Sequence, residues 1–373
     1  MDGARKITVS LLVPVFLLLA CASPEKPKPA DLGPNTPLMG VRAVWKTNIG
    51  SVGFALQVRV VGGHIFVADT DGGVAAIDGA SGADIWRTAL GTRLAAGVGS
   101  DGRYAAVVSE TNELIVLDAG RQIWRQRVNA VTLTAPLVAG ARVFVLGSDR
   151  SMSAYDAATG ARLWQQQRAG DALVLGQSGV LLAVGDTLIV GIGGRLVGMN
   201  PQNGSIRWET VLGSSRGTNE IERLVDLVSG VSRSGNQVCA RAFLSNVGCV
   251  DATQGALVWS KPAVGQKGVD GDTVNLYGVE SDGKVVSWRR TDGERLWMND
   301  RLRYRVLTAP AVAGQSLVAG DDAGTLYFLS RQDGSLLNRV STDGSSIVAA
   351  PVLAGQTLVA VTQRGGIFGF MPE

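Results

Sequence analysis

A three-residue frame recurs along this chain and constrains its fold more than any other feature. An apolar segment ends at Asp156, Gly160 follows four residues later, and Trp164 follows four residues after that. In the other copies of the frame, the first residue is again Asp or is replaced by another residue, and in one copy the Gly follows the Asp after a shorter interval. The positions equivalent to Trp164 are Trp45, Trp86, Trp124, Trp208, Trp259, Trp297 and Asn338. Successive positions lie 38 to 51 residues apart, so the chain is built from repeats, one of which is lengthened.

A period near 40 residues with short strands and glycine turns is typical of β-propeller blades. Alternating apolar residues form a hairpin before each frame, for example around the turn from Gly147 to Arg150. In the turn of the frame itself, Asp can bond its own backbone and Gly accepts a positive φ. The Trp then falls on the outermost strand, where its side chain can wedge against the neighbouring blade. The apolar period of two excludes a helical repeat.

The number of units predicts the closure of the ring. Seven complete units lie between Trp45 and Asn338, and residues 346–370 supply three further strands. The missing fourth strand stands at the other end of the chain, in residues 41–49. We therefore predict an all-β, eight-bladed propeller of four-stranded antiparallel blades, closed by an N-terminal strand that joins the C-terminal blade. Closure of this kind removes open sheet edges.

The N-terminus predicts a targeting segment and a membrane anchor. Arg5 and Lys6 precede an apolar run, and the sequence Leu-Leu-Ala before Cys21 follows the cleavage pattern of a bacterial lipoprotein signal. An ordinary signal peptide followed by a coincidental Cys is the alternative. Ala22 favours sorting to the outer membrane, on its periplasmic face. We expect a signal peptide in 1–20, a lipidated Cys21 with a proline-rich tether in 21–40, and the propeller in 41–373. With little that could pack, the tether should extend about 60 Å at ~3.1 Å per residue.

Two cysteines remain inside the propeller. Cys239 and Cys249 occupy the positions that Phe144 and Ala154 hold two units earlier, on facing strands of one hairpin. In an oxidising periplasm, cysteines placed across a hairpin can bond. We favour a structural disulfide, with two free buried thiols as the alternative.

The sequence offers no active site that local chemistry would recognise. His64 is the single histidine, at the edge of a turn, and one histidine cannot build a metal cluster. The acidic residues of the frame are explained as turn residues, although a pair of carboxylates meeting in the central channel stays compatible with the sequence. The formal net charge is +3, without a basic run interleaved with aromatics, so nucleic acid is not an expected partner.

Two irregular connections flank the fourth blade. Residues 213–226 lengthen one repeat and hold the densest charge on the chain, and residues 165–178 contain an apolar Leu-Val-Leu segment. Both join an outer strand to the next inner strand, so they should emerge on one face. An apolar pair beside a charged loop predicts a protein-docking patch. The same residues also fit a solvated loop beside the start of an inner strand.

The Asp-x3-Gly-x3-Trp frame resembles the repeats of pyrroloquinoline-quinone (PQQ) dehydrogenases and of the wider PQQ-like propeller group. With the lipoprotein signal, the proline-rich tether, eight blades and the Asn-Glu-Ile-Glu-Arg-Leu-Val-Asp insertion at 219–226, the mature chain resembles the BamB family. The resemblance implies a non-catalytic scaffold without a cofactor that docks the periplasmic (POTRA) domains of BamA within the outer-membrane barrel assembly (BAM) complex. It also implies a role in the folding and insertion of β-barrel proteins.

The same resemblance implies the docking residues. The Leu-x-Leu-Arg-Gly motif of the family matches Leu173 and Leu175, but Gly176 stands where its Arg would be. The acidic Asp-x-Asp pair matches Asp226, with Val228 at the second position. The leucines would anchor the partner, and a charged rim would steer it. That rim comprises Glu220, Glu222, Arg223 and Asp226.

Two other functions remain as alternatives. A PQQ-dependent dehydrogenase would share the repeat, but this chain is short for that group, its internal cysteines stand ten residues apart rather than adjacent, and no insertion supplies a substrate cap. The other alternative is a periplasmic propeller that binds peptides or envelope polymers in its channel.

Overall fold

The computed structural model describes residues 27–168, 174–214 and 224–373. These residues form strands, turns and connections without a helix, in eight antiparallel sheets of four strands each. Within the described ranges, no helix could therefore cross a membrane. The sheets follow one another as the blades of a propeller, as the spacing of the frame predicted.

Each of the first four blades uses four consecutive strands, ordered from the channel outward. The first blade contains β2 (Arg59–Val61), β3 (His64–Ala68), β4 (Gly73–Asp78) and β5 (Asp84–Ala89). The second contains β6 (Leu94–Ser100), β7 (Tyr104–Ser109), β8 (Glu113–Asp118) and β9 (Arg121–Arg127). The third contains β10 (Leu137–Ala139), β11 (Arg142–Leu146), β12 (Met152–Asp156) and β13 (Arg162–Gln166). The fourth contains β14 (Leu181–Val184), β15 (Thr187–Ile192), β16 (Arg195–Met199) and β17 (Ile206–Val211).

The remaining blades continue this order until the ring closes. The fifth blade contains β18 (Leu227–Ser234), β19 (Gln237–Ala242), β20 (Asn246–Asp251) and β21 (Ala256–Pro262). The sixth contains β22 (Val269–Gly271), β23 (Asn275–Val279), β24 (Val285–Arg289) and β25 (Arg295–Asn299). The seventh contains β26 (Ala311–Ala313), β27 (Ser316–Gly320), β28 (Thr325–Ser330) and β29 (Leu336–Ser341). The eighth contains β30 (Val352–Ala354), β31 (Thr357–Val361), β32 (Gly366–Pro372) and β1 (Val41–Asn48).

The N-terminal strand closes the ring. Strand β1 pairs antiparallel with β32, from Val41 opposite Pro372 to Asn48 opposite Gly366. The first and last strands of the propeller therefore share one sheet, so opening the ring would require breaking the pairing of β1 with β32. This is the closure that the repeat count predicted.

The three residues of the frame form one lock between blades. The Asp156 carboxylate accepts hydrogen bonds from the backbone amides of Ala158 and Thr159, and the Gly160 amide donates to the Asp156 carbonyl at 2.9 Å. Gly160 has a φ of 76°, and a Cβ there would lie 2.8 Å from the Trp124 ring of the preceding blade. The glycine is required twice, by its backbone angle and by the indole that packs on it.

The Trp side chains reach across to the next blade. Trp164 Nε1 donates to the Pro201 carbonyl at 3.0 Å, while its ring lies against the position of Gly204. Trp45 repeats this contact across the closure, with its Nε1 3.1 Å from the Gly79 carbonyl oxygen. The same donation to the following blade is made by Trp124, Trp208, Trp259 and Trp297. Trp86 packs on Gly120 in the same way.

One blade departs from this lock. In its own sheet Trp164 stands opposite Ala154, and Trp208 stands opposite Gly198, so small residues leave room for the indole. In the seventh blade Asn338 replaces the Trp and stands opposite the larger Phe328. The volume that is lost when Asn338 replaces a Trp is thus regained by the larger Phe328 on the opposite strand.

The segment before β1 occupies the place next to Asn338, and this corrects an expectation. Residues 22–40 were expected to offer little that could pack, but Leu32 is buried in a cluster with Tyr277 and Leu302. Asn338 Nδ2 donates to the Met39 carbonyl at 2.8 Å, and the Leu38 amide donates to the Leu337 carbonyl at 2.8 Å. We call residues 30–40 the strap. With Asn338 in place of the indole, the side-chain amide bonds the strap instead of the next blade.

Candidate functional site

The two irregular connections meet on one face of the ring. In each blade, the turn between the second and third strands lies at the same end as the connection from the outer strand to the next inner strand, because neighbouring strands are antiparallel. Backbone bonds tie the two together, for example from the Leu244 amide to the Gly265 carbonyl at 3.0 Å. We call this end of the propeller the connection face.

A hydrogen bond joins the two connections that flank the fourth blade. The Leu175 amide donates to Asp226 Oδ2 at 2.9 Å, although 51 residues separate them. Further along, Gly179 forms a β-bridge with Val228, and the Ser229 amide donates to the Ser178 carbonyl at 2.9 Å. The structure therefore places Leu175, the last residue of the Leu-Val-Leu segment, beside Asp226, an acidic residue of the predicted rim.

The remaining predicted site residues divide into two groups. Cys21, Leu173, Glu220, Glu222 and Arg223 lie outside the described residues. Cys239 and Cys249 stand opposite each other on β19 and β20 and are joined by a disulfide, fully buried between blades five and six. The pair belongs to the core and not to the connection face.

Val228 explains one departure from the acidic pair of the family. It is the second residue of β18, with an exposed fraction of 2% and Arg241 opposite it. At this position the chain keeps an apolar side chain, so Asp226 is the acidic residue that remains of the predicted pair.

A groove lies between the two connections. Leu175 and Asp226 line it, together with Thr134 and Arg150 of the third-blade side and Gly193 of the fourth blade. Where the apolar connection leaves β13, Arg168 donates to Glu209 Oε2 at 2.8 Å, and Arg195 donates to Glu209 Oε1 at 2.9 Å. The hydrogen bond from Arg168 is the main reason that the pKa of Glu209 is lowered. This ion pair fixes the start of the apolar connection against β17.

A buried ion pair supports the fifth blade beneath this face, and the sequence analysis missed it. The Arg241 side chain is fully buried, and its Nη1 lies 3.2 Å from Glu280 Oε1 of the sixth blade. Burial lowers the pKa of Arg241, and the charge of Glu280 opposes that shift. Gly265 and Gly278 make room for the guanidinium, since a Cβ on either would collide with it. An isolated Arg in the apolar run of β19 was the available signal.

The cavity in the central channel is lined by residues of a different kind from those of the groove. It holds a cavity of about 630 Å³. Gln57 Nε2 and Ser178 Oγ approach each other there at 3.3 Å. Among the described residues that line this cavity, the charged ones are Arg59 and Lys267, and none is Asp or Glu. The carboxylate pair left open by the sequence is not found among these lining residues. No group of three His, Cys, Asp or Glu side chains suited to a metal ion occurs in the described ranges.

Fold and repeat together define a class of protein, the PQQ-like eight-bladed propellers. A family model described as "Outer membrane protein assembly factor BamB" matches residues 70–299. Proteins of that name from Burkholderia pseudomallei and Bordetella pertussis are 35% and 34% identical to this chain, over 98% and 87% of it and 97% and 85% of their own lengths. The chain belongs to the BamB family.

Solved structures agree on the fold. BamB from Moraxella catarrhalis superposes with a TM-score of 0.81 at 23% identity, covering 89% of this chain and 99% of that one. A quinohemoprotein alcohol dehydrogenase from Comamonas testosteroni reaches a TM-score of 0.67 at 15% identity, over 90% of this chain and 78% of its own. At these identities both likenesses concern the fold alone.

Proposed function

We propose that this chain is a non-catalytic assembly factor that docks the periplasmic POTRA domains of BamA, and so aids the folding and insertion of β-barrel proteins into the outer membrane. The observation that supports this most is the bond between the Leu175 amide and Asp226. It holds an apolar segment and a carboxylate together on an otherwise regular ring, and such a combination suits a protein contact.

The anchor belongs to the same proposal. Cys21 would be lipidated and hold the propeller at the periplasmic face of the outer membrane. Because the strap begins at Ala30, whose amide donates to the Arg303 carbonyl at 3.2 Å, the segment between the anchor and the propeller would be shorter than the whole of residues 21–40. Its reach would therefore be less than the roughly 60 Å expected for a fully extended tether at ~3.1 Å per residue. The docked chain would therefore stay near the membrane in which BamA is inserted.

Asp226 also has a positioning role that can be separated from charge. By accepting from the Leu175 amide, its carboxylate holds the backbone at Leu175. An Asp226→Asn variant keeps an acceptor but loses the negative charge, whereas Asp226→Ala loses both. If charge steers the partner, the Asn variant should slow association and reduce its salt dependence.

The test is capture of detergent-solubilised BamA by the tagged mature protein. We expect the wild type to recover BamA and the double variant Leu173→Asp/Leu175→Asp to lose it, with an unchanged melting temperature. Leu163→Asp is the matched control, because Leu163 is 44% exposed on the third blade and lies in β13, away from the groove. Equal capture by wild type and double variant would refute the assigned site.

A second measurement addresses the enzyme alternative, which the dehydrogenase fold neighbours suggest. Added PQQ and calcium should leave the absorption spectrum and dye-reduction activity of the purified chain unchanged. A bound-quinone spectrum that follows the protein through gel filtration would contradict the non-catalytic assignment.

A further inference from the structure

Four of the eight blades share one form of the turn between the second and third strands, on the connection face. In blades one, six, seven and eight, five residues lie between the last paired residues of the two strands, the fourth of them is glycine, and these glycines have φ of 104°, 84°, 78° and 85°. They are Gly72, Gly283, Gly324 and Gly365. A positive φ costs glycine little and larger residues more.

The two blades that flank the fourth depart from this form with large side chains. In blade three Arg150 occupies the glycine position at a φ of 64°, and its amide still donates to the Gly147 carbonyl at 3.0 Å. In blade five the positive φ moves one residue earlier, to Leu244 at 50°. Neither residue is Asn or Asp, the types that tolerate this region. Glycine could adopt these backbone angles without strain. A large side chain that is kept there in spite of the strain therefore points to a function of that side chain.

Within the described parts of the chain, Arg150 has no partner that would explain it as a folding residue. It lines the groove with Leu175 and Asp226. Among the described residues no carboxylate lies within ion-pair distance of it, and its Nε has no hydrogen-bond partner. A guanidinium in such a place can form paired hydrogen bonds with a carboxylate of another chain. Gly176 leaves the apolar connection without the Arg that the family motif would place there, and among the described residues that line the groove the cation is Arg150.

Leu244 lies on the connection face at the corresponding turn of the fifth blade, where the amide of the preceding Phe243 donates to the Asp226 carbonyl at 3.0 Å. The exposed fraction of Leu244 is 44%, and that of Val264 is 56%. The Leu244 amide donates to the carbonyl of Gly265, which directly follows Val264. The two apolar side chains therefore stand on neighbouring backbone segments. Folding does not require either of them to be apolar, because both remain in water. The buried Arg241–Glu280 pair beneath them keeps this corner of blades five and six together.

We infer that the docking surface extends across three blades, from Arg150 on the third to Leu244 and Val264 beside the fifth, with Leu175 and Asp226 between. This inference rests on the proposed docking of BamA. The partner it fits presents a carboxylate to Arg150 and an apolar side chain to Leu244, on either side of the contact with Leu175. Both residues supply specificity at the cost of strained turns.

The test replaces each strained residue by glycine, the residue that carries the positive φ in blades one, six, seven and eight. Arg150→Gly and Leu244→Gly should leave the melting temperature unchanged or raise it, because the left-handed strain is relieved. Each should weaken binding of solubilised BamA by about tenfold or more, as expected for loss of one interfacial anchor. Arg150→Lys should restore part of the affinity, since it returns the charge without the planar fork.

Asn112→Gly is the matched control, because Asn112 occupies the same turn position in the second blade at a φ of 60°. It should change neither stability nor affinity. If Arg150→Gly and Leu244→Gly bind BamA as the wild type does while the Leu173/Leu175 double variant does not, the inference is wrong and the proposed function stands. If the wild type does not bind BamA, both are wrong.

Discussion

Replacing Trp164 by Ala tests the lock between blades most directly. Trp164 is 9% exposed, its ring centroid lies 6.0 Å from that of Phe144, and its Nε1 bonds the Pro201 carbonyl. The substitution empties the space above Gly204 and leaves that carbonyl without its donor. Because the fourth blade is held to the third by this side chain, the effect should be on stability and not on docking.

The magnitude follows from the buried surface. A Trp buries roughly 200 Å², and the Ala that replaces it retains a small part of that area. At about 25 cal/mol per Å² the loss is ~3–4 kcal/mol as an upper estimate. The lost hydrogen bond adds about 1 kcal/mol. We therefore expect a loss of ~3–5 kcal/mol, the usual range for a buried Trp truncated to Ala.

The assay is equilibrium urea unfolding followed by circular dichroism. A lower midpoint with an unchanged slope identifies a loss of stability. Trp164→Phe is the control: it retains an aromatic ring over Gly204 but lacks the Nε1 donor, so it should cost less, about 1–2 kcal/mol. A loss below about 1 kcal/mol for Trp164→Ala, at unchanged slope, would refute the idea that this indole holds the blades together.

Three other predictions concern stability. Replacing Cys239 and Cys249 together by Ala should cost about 2–3 kcal/mol, because the bond closes a loop of about ten residues; unchanged urea midpoints under oxidising conditions would contradict this. Leu32→Asp should release the strap and lower the melting temperature, whereas Leu38→Asp, at a side chain 75% exposed, should not; protease cleavage within residues 27–40 would report the release. Hydrogen bonds from Thr159 lower the pKa of Asp156, so its contribution is present above the unfolded pKa and is lost as pH falls through the folded value. The urea midpoint of Asp156→Asn should therefore depend less on pH than that of the wild type below about pH 4, and parallel curves would refute the role of this carboxylate.

The candidate site was only partly predictable. The lengths of the two connections and their position in the repeat placed them on one face, because the strand count determines which end of a blade each connection reaches. The bond from Leu175 to Asp226 could not be predicted, since it joins residues 51 positions apart. Arg150 had a signal in the sequence, an Arg in the turn where other units have Gly, but that signal has meaning only once the turns are aligned by their strand pairing.

The packing of the strap was also only partly predictable from the sequence. A proline-rich segment before a propeller indicates an extended chain, and the described residues 27–40 contain neither helix nor strand. Whether it packs depends on the neighbouring blade, where Asn338 replaces a Trp and bonds Met39 across 299 residues of sequence. The repeat in which Asn338 replaces the Trp was visible in the sequence, but its contact with the strap was not.

The sequence by itself determined the blades, their number and the closure of the ring. The physical reason is local: Asp, Gly and Trp act within one turn and one outer strand, so their spacing is the structure of the unit. Only the tertiary structure decided which distant residues meet, namely Leu175 with Asp226, Arg241 with Glu280, and the strap with the seventh blade. Those contacts depend on the curvature that eight packed blades produce together, and no single repeat contains that information.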